Sequence, residues 1–234
     1  MILRLTADGS HTLYSRRYQQ TYHSNRGAVT ESRHVFLAAS GVAGRLRAGL
    51  PTRVLEVGLG SGLNFLLTAD LARHYGVQLD YLALEREPPA AAVIKRLAYH
   101  RYLEHPEVLE EYLRFHQSLP IPPADGRYQL EPAGGQKLEL RLGEATKQRL
   151  PQAAFHAIYQ DAFSPDSNPE LWSTSFLGAL RAALADGGKL SSYCVKGAVR
   201  RRLQSLGFAV SKRPGPPGGK REMLVATVDP SALR

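Results

Sequence analysis

The run Val54-Leu-Glu-Val-Gly-Leu-Gly-Ser-Gly-Leu-Asn64 constrains this chain more than any other stretch. Val54, Leu55 and Val57 make a short apolar strand, and Gly58, Gly60 and Gly62 then force a tight turn. Apolar positions resume at helical spacing with Leu66, Leu67, Leu71 and Ala72. Strand, glycine turn and helix together open a βαβ unit, and the glycines let a ligand come close to backbone amides. A turn of this kind can also be no more than a tight connection, so its neighbours decide its meaning.

Strands and helices alternate along the rest of the chain. Strand patterns are expected at Leu79–Leu84, Tyr128–Leu130, Lys137–Leu142, His156–Asp161, Lys189–Val195, Phe208–Lys212 and Glu222–Val228. Helices are expected over Glu31–Leu50, from Pro89 to about Ser118, over Pro169–Ala185 with Asp186-Gly-Gly as the stop, and over Val199–Leu206 before Gly207. Residues 1–30 are polar and read as a hairpin or ordered arm. This alternation predicts an α/β, Rossmann-like fold with a mostly parallel, doubly wound sheet. Residues 1–50 form an N-terminal extension and helix, and 51–234 the main domain. Within the latter, the helical insertion at 88–137 exceeds an ordinary crossover and is expected to face the substrate.

Spacing within the turn separates two cofactor classes. A dinucleotide fingerprint needs glycine at position 63, which is Leu63 here. Glu56 stands two residues before Gly58, where a pyrophosphate would be repelled. A sulfonium ligand carrying an ammonium group tolerates that acid, and Glu56-x-Gly58-x-Gly60-x-Gly62 is the form found in S-adenosylmethionine enzymes. Glu85, closing the second core strand, is placed to accept from ribose hydroxyls. Glu144, in Gly143-Glu-Ala after the third, is placed to accept from an adenine amino group. Asp161, in Tyr159-Gln-Asp-Ala-Phe-Ser-Pro165, ends the fourth strand, where open α/β sheets bind ligands. It can orient a substrate amine or take its proton, and Phe163 offers a ring face to a base.

The net charge of +9 is unevenly spread. From Cys194 onward there are nine Lys and Arg against Glu222 and Asp229, so this tail carries +7. Arg200, Arg201, Arg202, Lys220 and Arg221 are the expected contacts to a polyanion. The single cysteine, Cys194, allows no intrachain disulfide or metal cluster, and no metal is expected. No apolar run approaches the roughly 18 residues of a membrane helix, and the amino terminus lacks a signal-peptide core, so a cytoplasmic protein is expected.

Several stretches resemble the methyltransferase component of the bacterial MnmC family, over nearly the whole length. They are Asp8-Gly-Ser-His-Thr-Leu-Tyr, Tyr22-His-Ser-Asn-Arg-Gly-Ala, Glu31-Ser-Arg-His-Val-Phe-Leu, Asp161-Ala-Phe-Ser-Pro with Asn168-Pro-Glu-Leu-Trp, and Gly219-Lys-Arg-Glu-Met-Leu, besides the glycine turn. The resemblance implies a class I S-adenosylmethionine methyltransferase. Its substrate would be the exocyclic amine of 5-aminomethyl-(2-thio)uridine at the wobble position of tRNA, bound through the anticodon region. Tyr22 and Ser24, with His23 between them, are expected to fold over the cofactor side. No flavin is expected, because the chain ends at Arg234 without room for the oxidase domain of bifunctional members. Where the family usually carries a His-Arg pair after the insertion, this chain has Gly126-Arg-Tyr. Two readings stay open beside this one: a small-amine methyl- or aminopropyltransferase, and a non-catalytic RNA-binding module. The oligomeric state is left open.

Overall fold

A computed structural model describes residues 1–228; Asp229 and Arg234, counted in the basic tail, lie outside the described residues. The centre is an eight-stranded sheet in the order β10-β11-β9-β8-β4-β5-β7-β6. Its parallel core comprises β4 (Thr52–Val57), β5 (Leu79–Glu85), β7 (Gln136–Leu142), β8 (Phe155–Gln160) and β9 (Leu184–Ser192). The antiparallel strands β6 (Gly126–Leu130), β10 (Phe208–Pro214) and β11 (Glu222–Val228) flank it.

Both faces of this core are covered, which is why its strands read as nearly continuous apolar runs. Val54, Tyr81, Ala83 and Tyr159 point to one side, towards α3 (Leu63–His74) and α5 (Glu107–Ser118). Leu55, Val57, Leu82, Leu84 and Ile158 point to the other, towards α6 (Thr174–Ala183) and α7 (Gly197–Ser205). Each fully buried large apolar side chain is worth about 1.5–3 kcal/mol relative to exposure. Alternation along each strand thus fastens two helical layers to one sheet.

The chain turns from β4 to β5 on one side, and β8 pairs with β4 on the other, so the sheet reverses direction at β4. The register levels the carboxyl ends there. Val57 pairs with both Leu84 and Gln160, and Glu85 pairs with Leu142. Gly58, Glu85, Gly143 and Asp161 therefore leave the sheet at nearly one height, at the crevice where open α/β sheets bind ligands.

Four expectations change in detail. The arm is a separate three-stranded antiparallel sheet of β1 (Ile2–Leu5), β2 (His11–Ser15) and β3 (Gln20–Thr21). The single helix expected over 31–50 is instead α1 (Ala28–Glu31), a π-helical segment (Ser32–Ala38) and α2 (Val42–Arg47). Ser40 Oγ donates to Phe36 O and accepts from Val42 N, and Gly41 is left-handed at φ +88°, which together break the ladder. The Asp186-Gly-Gly stop lies inside β9, where the pairing slips from Phe155–Leu184 to Ala157–Lys189. The insertion at 88–137, expected to face the substrate, packs against α3. Among the described residues none of it lines either cavity of the site, and Tyr112 of α5 packs instead against Phe65 and beneath Gly62.

Candidate active site

Two of the turn glycines are compelled by what surrounds them. Gly62 caps α3 at φ +82°, and a Cβ there would stand 2.2 Å from the Tyr112 hydroxyl. Gly60, at φ +55°, would place a Cβ 2.7 Å from the Tyr22 ring. Only glycine meets both demands. The turn forms one wall of a first cavity of about 520 Å³, whose lining includes Gly58, Gly60, Glu85, Glu144 and Asp161.

Glu85 is fixed by backbone amides. Its Oε2 accepts from Gly60 N at 2.7 Å, and its Oε1 accepts from Arg86 N at 2.7 Å and Glu87 N at 2.8 Å. Burial pushes its pKa above the usual carboxylate range, against the pull of the Gly60 and Arg86 amides. Glu144 borders the same cavity but is ion-paired with Lys147 at 2.8 Å, and that bond holds its pKa down. Glu56, expected at the cofactor, is not part of this cavity's lining. Its side chain is fully buried behind the cavity wall, accepting from Asn64 Nδ2 at 2.7 Å and Tyr81 OH at 2.7 Å.

Asn64 links Glu56 to Asp161. Its amide nitrogen also donates to Asp161 Oδ2 at 2.9 Å, so one NH₂ group bridges two buried carboxylates. Burial, and then the charges of Glu56 and Glu31, push the Asp161 pKa well above its ordinary value. His23 Nε2 stands 3.9 Å from Asp161 Oδ2, and burial lowers the His23 pKa to about 4, so this imidazole is neutral at pH 7. The loop carrying Asp161 is held from three sides. Tyr193 OH donates to Ala162 O and Trp172 Nε1 to Phe163 O, both at 2.8 Å, while Gln20 Nε2 donates to Ser164 Oγ at 2.6 Å. The Gln20 bond closes the N-terminal sheet over the strand ends.

A second cavity, of about 630 Å³, meets the first at Tyr22, His23, Asp161, Ala162 and Phe163. Phe163 stacks on Tyr18 at 4.4 Å and takes the edge of Tyr22 at 5.2 Å, so an aromatic group stands at the junction. Tyr22 therefore borders both spaces. Ser24, expected at the cofactor, borders only the second, with its N–H donated to Glu31 and its Oγ accepting from Arg26 N.

The expected basic contacts divide. Lys220 lines the second cavity, with Nζ 4.2 Å above the Tyr193 ring. Arg200, Arg201 and Arg202 lie on α7, outside both cavities, and Arg202 Nη1 donates to Trp172 O at 3.0 Å. Arg221 is exposed just before β11, and the neighbouring Glu222 pairs with Lys212 at 2.7 Å. Arg4, Arg26, Glu31 and Tyr193 were not singled out from sequence, yet all line the second cavity. Arg26 and Glu31 lie in the stretches that carried the resemblance; Arg4 and Tyr193 carry no local signal.

With this geometry in place, similarity to known proteins decides the family. Residues 107–229 match the family model described as S-adenosyl-L-methionine-dependent methyltransferase. The chain belongs to that family. The matched stretch begins beyond the glycine turn, so the turn and the match are independent observations.

The chain is also 36% identical over 229 residues to the tRNA 5-methylaminomethyl-2-thiouridine biosynthesis bifunctional protein MnmC of Ralstonia nicotianae, covering 95% of this chain and 34% of that one. Its counterpart in Pseudomonas aeruginosa is 36% identical over 225 residues, covering 91% and 33%. The chain thus spans about a third of these curated relatives. Among solved structures, MNMC2 from Aquifex aeolicus superposes with a TM-score of 0.78 at 27% identity, over 97% of this chain and 70% of that one. In a methyltransferase of this family the cofactor is S-adenosylmethionine, and the first cavity fits it. The volume lies within the range of small-ligand sites. The glycine backbone, the Glu85 carboxylate and Asp161 all line it, with the Asp161 backbone packed against Gly58. No helix among the described residues is long and apolar enough to cross a membrane.

Proposed function

We propose that this methyltransferase N-methylates the aminomethyl group of 5-aminomethyl-(2-thio)uridine at the wobble position of tRNA, in the cytoplasm. The observation that carries this reading is the pair of cavities meeting at Asp161. One has the size and lining for the methyl donor. The other is rimmed by Arg4, Arg26 and Lys220, a cationic border suited to a phosphodiester backbone. The naming of the MnmC relatives supports the same substrate.

Bound S-adenosylmethionine supplies a methyl group on a sulfonium, open to in-line attack by a neutral amine. In this reading the close-packed backbone of the glycine turn and the Glu85 carboxylate would hold it, with Glu144 near its adenine. Asp161 takes a proton from the incoming ammonium, a role suited to a carboxylate whose pKa burial has raised. Asn64 holds Asp161 Oδ2, and the Tyr18–Phe163–Tyr22 stack keeps water from the junction. Phe163 is the ring offered to the base. Arg200, Arg201, Arg202 and Arg221 extend the cationic surface, with the anticodon region of tRNA at the cavity mouth.

A free polyamine would meet that cationic rim unfavourably, which disfavours the small-amine reading. The test incubates the protein and labelled donor with tRNA bearing 5-aminomethyl-(2-thio)uridine, and in parallel with polyamines. Label in the 5-methylaminomethyl nucleoside is the expected result; label only in the polyamines would overturn the proposal.

A further inference from the structure

Resting on the reading just given, we infer that Glu31 is a second substrate carboxylate: with Asp161 it forms an ammonium-recognition floor in the second cavity that selects an amine as methyl acceptor. Glu31 ends α1 and is 5% exposed, yet it lines that cavity. Among the described residues, the one hydrogen bond its carboxylate receives comes from Ser24 N, at 2.7 Å to Oε2. A buried carboxylate so thinly partnered is costly unless a cation approaches it.

The fold fastens it there. Asp8 Oδ2 accepts from the N–H of Thr30 at 2.9 Å and its hydroxyl at 2.8 Å, while Asp8 Oδ1 accepts from Ser10 N at 3.0 Å. Gly27, where a Cβ would lie 2.7 Å from Asp8 Oδ2, lets the two segments close up. The Asp8-Gly-Ser turn thus clamps α1 one residue before Glu31. Capping Ser24 alone would not require a carboxylate, because a glutamine oxygen accepts equally well.

A second, independent observation is that the site already accommodates an ammonium. Lys220 Nζ sits 4.2 Å above the Tyr193 ring, and its charge reaches both Glu31 and Asp161. The Tyr193 hydroxyl in turn feels both carboxylates. Two carboxyl groups beside an aromatic face are the chemistry that recognises an alkylammonium. The basic rim and the acidic floor then do separate work. Arg4, Arg26 and Lys220 suit the phosphates, while Glu31 and Asp161 suit the one cationic group such a polyanion carries. A neutral 5-substituent would leave the floor with no cation beyond Lys220, which is discrimination by an unmet charge. Asp161 gives the amine its free lone pair by accepting a proton. Glu31 faces the nitrogen as the methyl group leaves sulfur and positive charge passes onto the nitrogen with the new N–C bond.

Glu31→Gln keeps the shape and the acceptor for Ser24 N–H while removing the charge. Its fold is checked by thermal unfolding and by S-adenosylhomocysteine titration, both expected to match wild type. Two tRNAs are compared, one carrying 5-aminomethyluridine and one its neutral 5-hydroxymethyl counterpart. Wild type should bind the amine form at least about 10-fold more tightly. Glu31→Gln should lose that preference, with KM for the amine tRNA rising about 10-fold or more and kcat falling less. A wild type that methylates the amine while Glu31→Gln keeps its preference overturns the role of Glu31 alone. A wild type that methylates neither tRNA overturns the tRNA reading beneath it. Lys220→Met, an exposed position, gives a second handle if Glu31→Gln does not fold. Without its competing ammonium, the free 5-aminomethyluridine nucleoside should bind about threefold tighter or better, and unchanged or weaker binding contradicts the inference.

Discussion

The two cavities are neighbours with different origins. Most of the first is walled by segments that follow parallel core strands, converging because strand register brings those ends to one height, while Met1, Ser15, Tyr18, Tyr22 and His23 close it from the N-terminal arm. The second gathers Arg4, Tyr14, residues 19–26, Glu31, residues 161–164, Tyr193 and Lys220 from almost the full length of the chain. One is a motif with a ligand-sized space beside it; the other exists only once the N-terminal sheet, the β8 loop and the β11 approach have packed together. Parts of the first can be changed with local effect, whereas the second should respond as an assembly.

The junction is where the contrast can be broken most sharply. Asp161→Ala should lower the methylation rate by about 10²-fold or more while S-adenosylhomocysteine affinity changes little. A rate within a few-fold of wild type would make Asp161 a loop-ordering residue and leave the amine to another base. Next in size is Gly60→Val, which forces a β-branched residue to positive φ and drives its Cβ into the Tyr22 ring. Calorimetric titration of the folded variant should show S-adenosylhomocysteine binding weakened at least about tenfold. Unchanged affinity would remove the glycine turn from the first cavity's function.

The acceptor side is sharpened by salt. If Arg4, Arg26 and Lys220 contact phosphates, each single alanine variant should flatten the log–log dependence of tRNA affinity on salt by roughly 1. Filter binding across a salt series measures this, with an Arg200/Arg201/Arg202→Ala triple variant alongside. A triple variant with the larger loss would move the RNA surface from the cavity rim to α7.

The smallest effect is a displacement in pH. Asp161 must be ionised to accept a proton, so the rate falls as pH drops through its folded-state pKa, which lies above the ordinary carboxylate range. The Glu56 charge raises that pKa and the Asn64 hydrogen bond lowers it. Glu56→Gln should therefore shift the acidic limb of the rate profile to lower pH, and Asn64→Leu to higher pH, each by up to about one unit. Shifts in the same direction would disconnect the Glu56–Asn64–Asp161 bridge from the chemistry.

Legibility follows the same divide. Gly58, Gly60, Glu85, Glu144, Asp161 and Phe163 were readable because each occupies a fixed offset from a strand end, and a parallel sheet turns equal offsets into proximity. Glu56 was readable as a member of the turn, but its strand position points it inward to Tyr81 and Asn64. Asn64 reads as a helix residue in the sequence; only the fold shows it reaching Asp161 in the loop after β8. The insertion was recognisable by length, yet its direction was decided by Tyr112 fitting under Gly62 and by Arg73 pairing with Glu107 and Glu111.

Alternating apolar runs, broken by glycine and acid at the strand ends, determined the doubly wound sheet and its methyl-donor crevice, because hydrophobic period and turn chemistry act over a few residues. The acceptor site was decided by tertiary structure. Glu31 has no meaning as a ligand until Asp8 clamps its helix, Gln20 fastens the N-terminal sheet to the Asp161 loop, and Lys220 arrives beside Tyr193. Those contacts span up to 144 residues, and charge brought together at that range leaves no periodic trace in the order of the residues.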